Sequence, residues 1–401
     1  MEQRRVLVAI SAGIAAYKVP ELVRALVRAG CAVRCALTPA AAQFVSPLVL
    51  QTLSGARARS QLFDPVEEGE IDHIALADWA ELVVVAPATA NVLPKLAQGL
   101  ADDLVTTLLL ATRAPVLVAP AMNVNMWEHP ATRANVARLR ERGVHTVGPE
   151  AGFLACGWEG EGRMAEPAAI AAAAARILGP RTLAGVKVLV NAGGTREPID
   201  PVRVLANRSS GKMGFAVAEE AVRRGGEVVL VAAPTPLPTP VGARRVDVET
   251  ALEMRDAMRA EWPGTDVAVL CAAVGDFRPA APAQRKIKKE DLPEAGGLQL
   301  ELVRNPDILA ELSRDKGRRV VVGFAAESHD VVAAARRKLA RKGCDLLVAN
   351  DVSRTDAGFG SDRNAVVFVW PGGEVEELPL LPKGEVAGQL WDRIEKLRAG
   401  R

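Results

Sequence analysis

Aromatic residues make up only 4% of the 401 residues, and there is a single tyrosine. That scarcity argues against the aromatic platforms on which single-stranded nucleic acid stacks. Charge is balanced as well: 50 Lys and Arg face 48 Asp and Glu, for a formal net charge of +2. No basic excess points to nucleic acid or an anionic membrane surface. No apolar run approaches the roughly 20 residues that span a bilayer, and the opening MEQRRVLVAISAG reads as a strand rather than a signal peptide. Cysteines are few and odd in number, at 31, 35, 156, 271 and 344. They form no disulfide framework, and a reducing cytoplasm is the expected home. The four histidines, 73, 129, 145 and 329, are not clustered with cysteines, which excludes a structural zinc site. No GxGxxG with a following ribose-binding acid occurs.

What is present is apolar patterning. Apolar residues make up 49% and charged residues 24%, the balance of a folded chain, and its length calls for two domains. Strand-like runs alternate with amphipathic helices: RRVLVAIS, CAVRCALT, ELVVVAPAT and PVLVAPAMN, with NVLPKLAQGLADDLVTTLLLAT read as one helix. This predicts a doubly wound α/β domain with a parallel sheet. Gly and Pro in LGPRTLAG mark a joint, after which VKVLVNAGG restarts the pattern. The expected fold is thus α/β, with two tandem Rossmann-like domains over 1–180 and 184–401. A hairpin around Pro371-Gly372-Gly373 and a last helix close the second. Cys31 and Cys35, four apart in a strand-like run, read as packing residues, and His129 and His145 as surface residues.

Ligands of such sheets bind at the carboxyl ends of the strands. Small, hydroxyl-bearing turns stand there in the first half: Ser11-Ala12-Gly13-Ile14-Ala15, then Thr38, then Ala86-Pro87-Ala88-Thr89-Ala90-Asn91, then Pro120-Ala121-Met122-Asn123. Each alone is an ordinary turn or helix cap; together they describe a mononucleotide pocket. The stretch GFLACGWEGEGRM (152–164) carries four glycines around Cys156. A phosphate loop fails there, since no Lys-Ser or Lys-Thr follows.

SAGIAAYK, the histidine of DHIALADWAEL, APATAN, PAMNVNMW and ACGWEGEGRM resemble the flavin-dependent decarboxylases of cysteine derivatives, phosphopantothenoylcysteine decarboxylase in particular. The PxMNxxMW signature is met at every position, while Ala12 stands where many members have a second glycine. The resemblance implies an amino-terminal flavodoxin-like domain holding FMN through Ser11, Gly13, Ile14, Ala15, Thr38, Ala86, Thr89, Asn91 and Met122. It implies oxidation of the substrate thiol to a thioaldehyde, loss of carbon dioxide, then reduction and protonation. His73 is implied as the active-site base or orienting group and Asn123 as the holder of the substrate carboxylate. Cys156 is implied as the acid that delivers the last proton, in a flap whose glycines read as hinges, with Arg163 and Met164 as substrate contacts. A thiol of ordinary pKa, about 8.5, is protonated near neutrality and able to donate.

In the second half, Ser209-Ser210-Gly211-Lys212 opens a helix and reads as either an anion site or a plain cap. Lys286-Ile287-Lys288-Lys289 is a basic run in a Pro-rich loop, by itself a solvated face. With GGTREPIDPVR, NRSSGKMG, AAVGDF, RNPDI, GFAAE and ANDV, these pieces resemble CTP-dependent phosphopantothenate–cysteine ligase, in that family's order and fused after the decarboxylase. Gly194 stands where proline is common in that family and Gly275 where alanine is usual. The resemblance implies activation of phosphopantothenate by CTP as an acyl cytidylate, followed by attack of the cysteine amine. Asn207 is implied to contact the acyl-cytidylate carbonyl and Lys286 to stabilise the reacting phosphate. Asp276 is implied to hold CTP-bound Mg2+. Cys271, Ala272, Asn305, Pro306, Asp307, Ile308, Phe324, Lys338 and Lys342 frame the nucleotide, and Ser209 to Lys212 contact substrate. Trimers of flavin domains and dimers of ligase domains, up to a dodecamer, are implied too. Two other readings stand beside this one: a nicotinamide-dependent oxidoreductase on tandem Rossmann domains, and a non-catalytic flavin-binding regulatory subunit.

Overall fold

The structure is a computed structural model; it describes residues 3–62, 72–153, 157–288, 290, 297–327, 329–351 and 360–401. The chain divides into two compact units, Met1–Gly179 and Pro180–Arg401.

The first unit runs β1 (Arg5–Ile10), α1 (Val19–Arg28), β2 (Ala32–Leu37), α2 (Pro47–Ser54), α3 (Asp72–Trp79), β3 (Leu82–Ala88), α4 (Val92–Gln98), α5 (Leu104–Ala111), β4 (Val116–Pro120), α6 (Val124–Glu128), α7 (Pro130–Glu141), β5 (His145–Thr146), β6 (Glu150–Phe153), β7 (Glu159–Arg163) and α8 (Pro167–Leu178). The sheet order is β2-β1-β3-β4-β5, and every pairing is parallel. Its strands are continuous apolar runs because both faces are covered. Val6, Val8 and Ile10 pack against Leu22, Leu26, Leu50 and Ile170 of α1, α2 and α8. Leu7 and Ala9 face the opposite core, with Leu76, Leu93, Leu108 and Leu139. Cys35 lies in the first of these cores and Cys31 packs against it; burial pushes the Cys35 thiol up to about 12, as suits a packing residue. The helix expected over 91–112 is two helices. Gly99 ends α4 in the left-handed conformation (φ 74°), and Asp103 starts α5 by accepting from the Thr106 amide at 2.8 Å.

The second unit runs β8 (Lys187–Ala192), β9 (Arg196–Pro198), β10 (Val204–Ala206), α9 (Lys212–Arg223), β11 (Glu227–Ala232), β12 (Arg244–Asp247), α10 (Ala251–Glu261), β13 (Val267–Leu270), β14 (Phe277–Pro279), β15 (Leu302–Arg304), α11 (Ile308–Arg314), β16 (Val320–Glu327), α12 (Val331–Lys342), β17 (Leu346–Asp351), β18 (Arg363–Asn364), β19 (Val366–Val369), β20 (Val375–Glu377), β21 (Leu381–Pro382) and α13 (Lys383–Ala399). Its main sheet has the order β12-β11-β8-β13-β16-β17-β19-β20, parallel through β17 and antiparallel beyond. Residues of α9 and α13 cover one face, among them Val217 and the buried Trp391, whose Nε1 donates to the Val217 carbonyl at 2.9 Å. Residues of α10, α11 and α12 cover the other. The β19–β20 hairpin turns at Trp370–Glu374.

Candidate functional site

In the first unit, the predicted turns meet at the carboxyl end of the sheet. Ser11, directly after β1, is buried and donates to the Pro87 carbonyl at 2.6 Å. The Thr89 amide donates back to Ser11 Oγ at 3.3 Å, and the two hydroxyls lie 3.1 Å apart. A Cβ on Gly13 would stand only 3.2 Å from Thr89 Cγ2, so the turns after β1 and β3 pack directly on one another. Ile14 and Ala15 lead a single 3-10 turn, with the Ile14 side chain exposed. Asn91 is exposed ahead of α4, and Ala86 is completely buried. Thr38, after β2, is buried, and its hydroxyl finds no partner among the described residues. His73 lies in the first turn of α3 with Nδ1 buried and likewise unpartnered. Buried polar atoms are rarely left this way, which makes both candidates for contact with a bound group.

The PAMNVNMW signature and the Cys156 stretch are parts of one construction. Asn123 Oδ1 accepts from the Asn125 amide at 2.9 Å and caps α6. The Met122 amide donates to the Gly162 carbonyl at 2.9 Å, and Trp127 Nε1 donates to Glu161 at 3.0 Å. Val124 sits where any side chain on Gly160 would be, with only 3.0 Å to a Cβ there. Residues 150–153 and 159–163 pair as an antiparallel ribbon that takes in Gly152, Gly160 and Gly162, with Gly157 outside both strands. Gly160 holds φ 149° inside a paired strand, a backbone conformation that side chains disfavour. Cys156 itself lies outside the described residues. Arg163 Nη2 pairs with Glu150 at 3.0 Å and braces the ribbon, leaving its buried Nε unpartnered. Met164 is 1% exposed, and its side chain packs in the core.

The second unit has one large cavity, of about 1010 Å3, at the carboxyl ends of β8, β13 and β16. It gathers motifs that are far apart in sequence. Asn207 and Ser209 to Lys212 line one side; Cys271, Ala272 and Asp276 follow β13; Asn305 to Ile308 lead α11; Phe324, Lys338 and Lys342 complete it. Backbone carbonyls set the asparagines: Asn207 Nδ2 donates to Val274 O at 3.1 Å, and Asn305 Nδ2 to Gly275 O at 2.9 Å. The lysines are paired with acids. Lys212 meets Asp362 at 2.7 Å, Lys338 lies 3.7 Å from Glu327, and Lys342 binds Asp307. Burial opposes ionisation of Asp307, but the Lys342 ammonium and the Ala310 amide outweigh it and hold the carboxyl below its ordinary range. Burial pushes the Cys271 thiol well up, which makes it a wall rather than a nucleophile. Gly211 takes φ 77° at the head of α9, with Ser209 Oγ accepting its amide at 3.3 Å.

Lys286 is exposed in the 283–288 segment and is not among the residues that line the cavity as the structure stands. The sequence reading also missed several lining residues. Asn191 accepts from the Ala272 amide at 2.9 Å; its signal was a polar residue inside an apolar strand run. Asn364 and Lys383 reach the cavity from the far end of the chain, where no motif pointed to them. Lys383 is buried, and that burial, with the nearby Lys212, lowers its pKa against the pull of Asp362. Among the described residues no group of three His, Cys, Asp or Glu is placed to hold a metal, and no helix is long and apolar enough to cross a membrane.

Small hydroxyl-bearing turns at the strand ends of one doubly wound sheet, followed by a nucleotide-sized cavity on a second, are the plan of a two-part flavoprotein. Residues 1–179 match the family model described as flavoprotein, and residues 183–397 match that of the DNA/pantothenate metabolism flavoprotein C-terminal domain. The chain is similar to the coenzyme A biosynthesis bifunctional protein CoaBC of Escherichia coli K12, 47% identical and covering 96% of this chain and 95% of that one. It is 45% identical to the protein of that name from Bacillus subtilis 168, over 99% of this chain and 98% of the relative. A solved structure of the C-terminal domain of such a protein aligns with 55% of this chain and all of its own, at 39% identity and TM-score 0.47. The chain belongs to the family of bifunctional coenzyme A biosynthesis proteins.

Proposed function

We propose that residues 1–180 are an FMN-dependent phosphopantothenoylcysteine decarboxylase and that residues 184–401 are its CTP-dependent phosphopantothenate–cysteine ligase. Working in sequence in the cytoplasm, the two make phosphopantetheine from phosphopantothenate, cysteine and CTP. The observation that carries the ligase half is the cavity that collects NRSSGKMG, AAVGDF, RNPDI and the α12 lysines in one place. A carboxylate is a poor electrophile without a leaving group, and nucleotidyl activation supplies both. The Lys338 and Lys342 ammoniums lie one helical turn apart, and each exchanges an acidic partner for phosphate oxygens. Asn207 turns its amide from the Val274 carbonyl to the acyl carbonyl, and Lys286 comes to the reacting phosphate from outside the cavity rim. Asp276, exposed beside the cavity, offers the single carboxylate that Mg2+ uses when triphosphate oxygens supply other ligands.

The first unit fits FMN because the Thr38 hydroxyl is buried and unpartnered beside the small Ser11–Gly13 and Thr89 turns. FMN bound there supplies the two-electron oxidation and reduction that bracket loss of carbon dioxide. Asn123, fixed at the head of α6, holds the substrate carboxylate. His73 Nδ1 supplies the base or the orienting bond, and Cys156 returns a proton to carbon. Homo-oligomers built from trimeric flavin units and dimeric ligase units complete the reading. Purified protein should be yellow and should release pyrophosphate from CTP when given phosphopantothenate and Mg2+. A colourless chain that binds no FMN contradicts the first half; CTP left intact contradicts the second.

A further inference from the structure

The one predicted catalytic lysine outside the cavity lies on a segment that is held in an unusual way. Residues 283–288 form neither helix nor strand, and Gln284, Arg285, Lys286 and Lys288 are all exposed. The segment's own side chains give it little to pack. It is held instead by the turn after β9. The Ala283 amide donates to the Ile199 carbonyl at 2.9 Å. The Ile287 amide donates to Asp200 Oδ2 at 3.1 Å, and Arg203 Nη2 donates to the Ile287 carbonyl at 2.7 Å. Ile287 is thus gripped at both its N–H and its C=O, and a slip of one residue would break both bonds.

Asp200 is the centre of the clasp. Its side chain is 0% exposed. Oδ1 accepts from the Val202 and Arg203 amides, each at 2.8 Å, and Oδ2 accepts from Arg203 Nε at 3.0 Å and Nη2 at 2.6 Å. The Arg203 guanidinium, against the pull of burial, holds the carboxyl well below the usual carboxylate range, so the clasp stays charged at any working pH. A buried carboxylate with five donors is a costly construction for a surface turn. The same loop is tied to the cavity wall at its other end, where the Gly275 amide donates to Thr195 Oγ1 at 2.9 Å.

We infer that Asp200 is a positioning residue of the ligase: it fixes the Lys286–Lys288 segment against the loop that braces the cavity wall, so that Lys286 is delivered in one register. The inference rests on the ligase reading and on the role given there to Lys286.

The test uses the full-length protein, its pyrophosphate release from CTP and phosphopantothenate, and a double-mutant cycle with Asp200→Ala and Lys286→Ala. Asp200→Ala is expected to lower kcat for pyrophosphate release by about 10–100-fold, the cost of misplacing a catalytic group. CTP affinity, measured by direct titration, stays within about twofold, because the cavity lining is untouched. In the Lys286→Ala background the same change adds less than about twofold, because the residue it serves is gone. Multiplying losses, or a loss carried by CTP affinity, overturn the inference in favour of a merely structural ion pair. Asp200→Asn keeps the size of the side chain and carries the same comparison if the alanine variant does not fold. Wild-type protein that releases no pyrophosphate overturns the ligase reading itself, a result distinct from any pattern within the cycle.

Discussion

The two candidate sites differ in how many of their polar atoms are already paired. In the first unit, Ser11, Thr89 and Asn123 have partners, but Thr38 Oγ1, His73 Nδ1 and Arg163 Nε are buried with no partner among the described residues. In the second, Asn207 pairs with Val274 O, Asn305 with Gly275 O and Lys342 with Asp307, while Asn364 Oδ1 in the cavity wall is buried with no partner among the described residues. An unmade buried hydrogen bond costs stability, whereas a made one must be exchanged for a new one on binding. The contrast fits a resident cofactor in one unit and passing substrates in the other. A resident group repays the unsatisfied atoms permanently, while a site that empties each turnover needs internal partners in between.

Cys156→Ser puts the largest strain on this comparison. Carbon dioxide should be released in a single turnover per bound FMN, which then stays reduced, while phosphopantetheine formation falls by about 100-fold or more, as loss of a general acid predicts. Gas release alongside mass spectrometry of the products checks it; unchanged phosphopantetheine would remove the acid role. Lys342→Ala should raise KM for CTP by about tenfold, and it leaves Asp307 without its ammonium. Because the native carboxyl is held low, the wild-type pair is complete above the ordinary carboxylate pKa and is lost as pH falls through the lowered native value. In the variant that loss should begin at higher pH, as read by thermal melts across the acid range.

Thr38→Val separates the two states most cleanly. Removing a hydroxyl that has no partner should leave the melting temperature of the flavin-free protein unchanged or raise it. FMN retention should weaken by about fivefold, near 1 kcal/mol, on fluorescence titration. A loss of flavin-free stability instead would mean that the hydroxyl is already satisfied. The smallest effect is expected from Gly275→Ala. A Cβ there would stand 3.5 Å from Glu197 Cγ and the Phe277 carbonyl, ordinary contact distance, so ligase rates should stay within about twofold. The alanine usual at this position in the resembling family therefore fits the cavity wall of this chain.

The sheets were legible in the sequence because strands covered on both faces read as unbroken apolar runs, and the site turns were legible because they follow those runs. The split between α4 and α5 needed closer attention to Gly99 and to the Asp103–Thr106 cap, since the apolar pattern continues on both sides. The short ribbons β9–β10 and β14–β15 carried no usable period: three-residue strands with exposed Val204 and Leu205 look like loop. Asn364 and Lys383 reach the ligase cavity only through the return of the chain by β18 and α13, a tertiary fact with no local signature. Burial of the Met164 side chain was not legible either, because its place in a matching motif pointed only to a ligand contact.

One reaction mixture tests the whole account. Full-length protein carrying FMN is given phosphopantothenate, cysteine, CTP and Mg2+, and CMP, pyrophosphate, carbon dioxide and phosphopantetheine are counted together. Two active units working in sequence predict that carbon dioxide and phosphopantetheine rise together and approach the CMP released. CMP and pyrophosphate without carbon dioxide, or none of the four products, would contradict it.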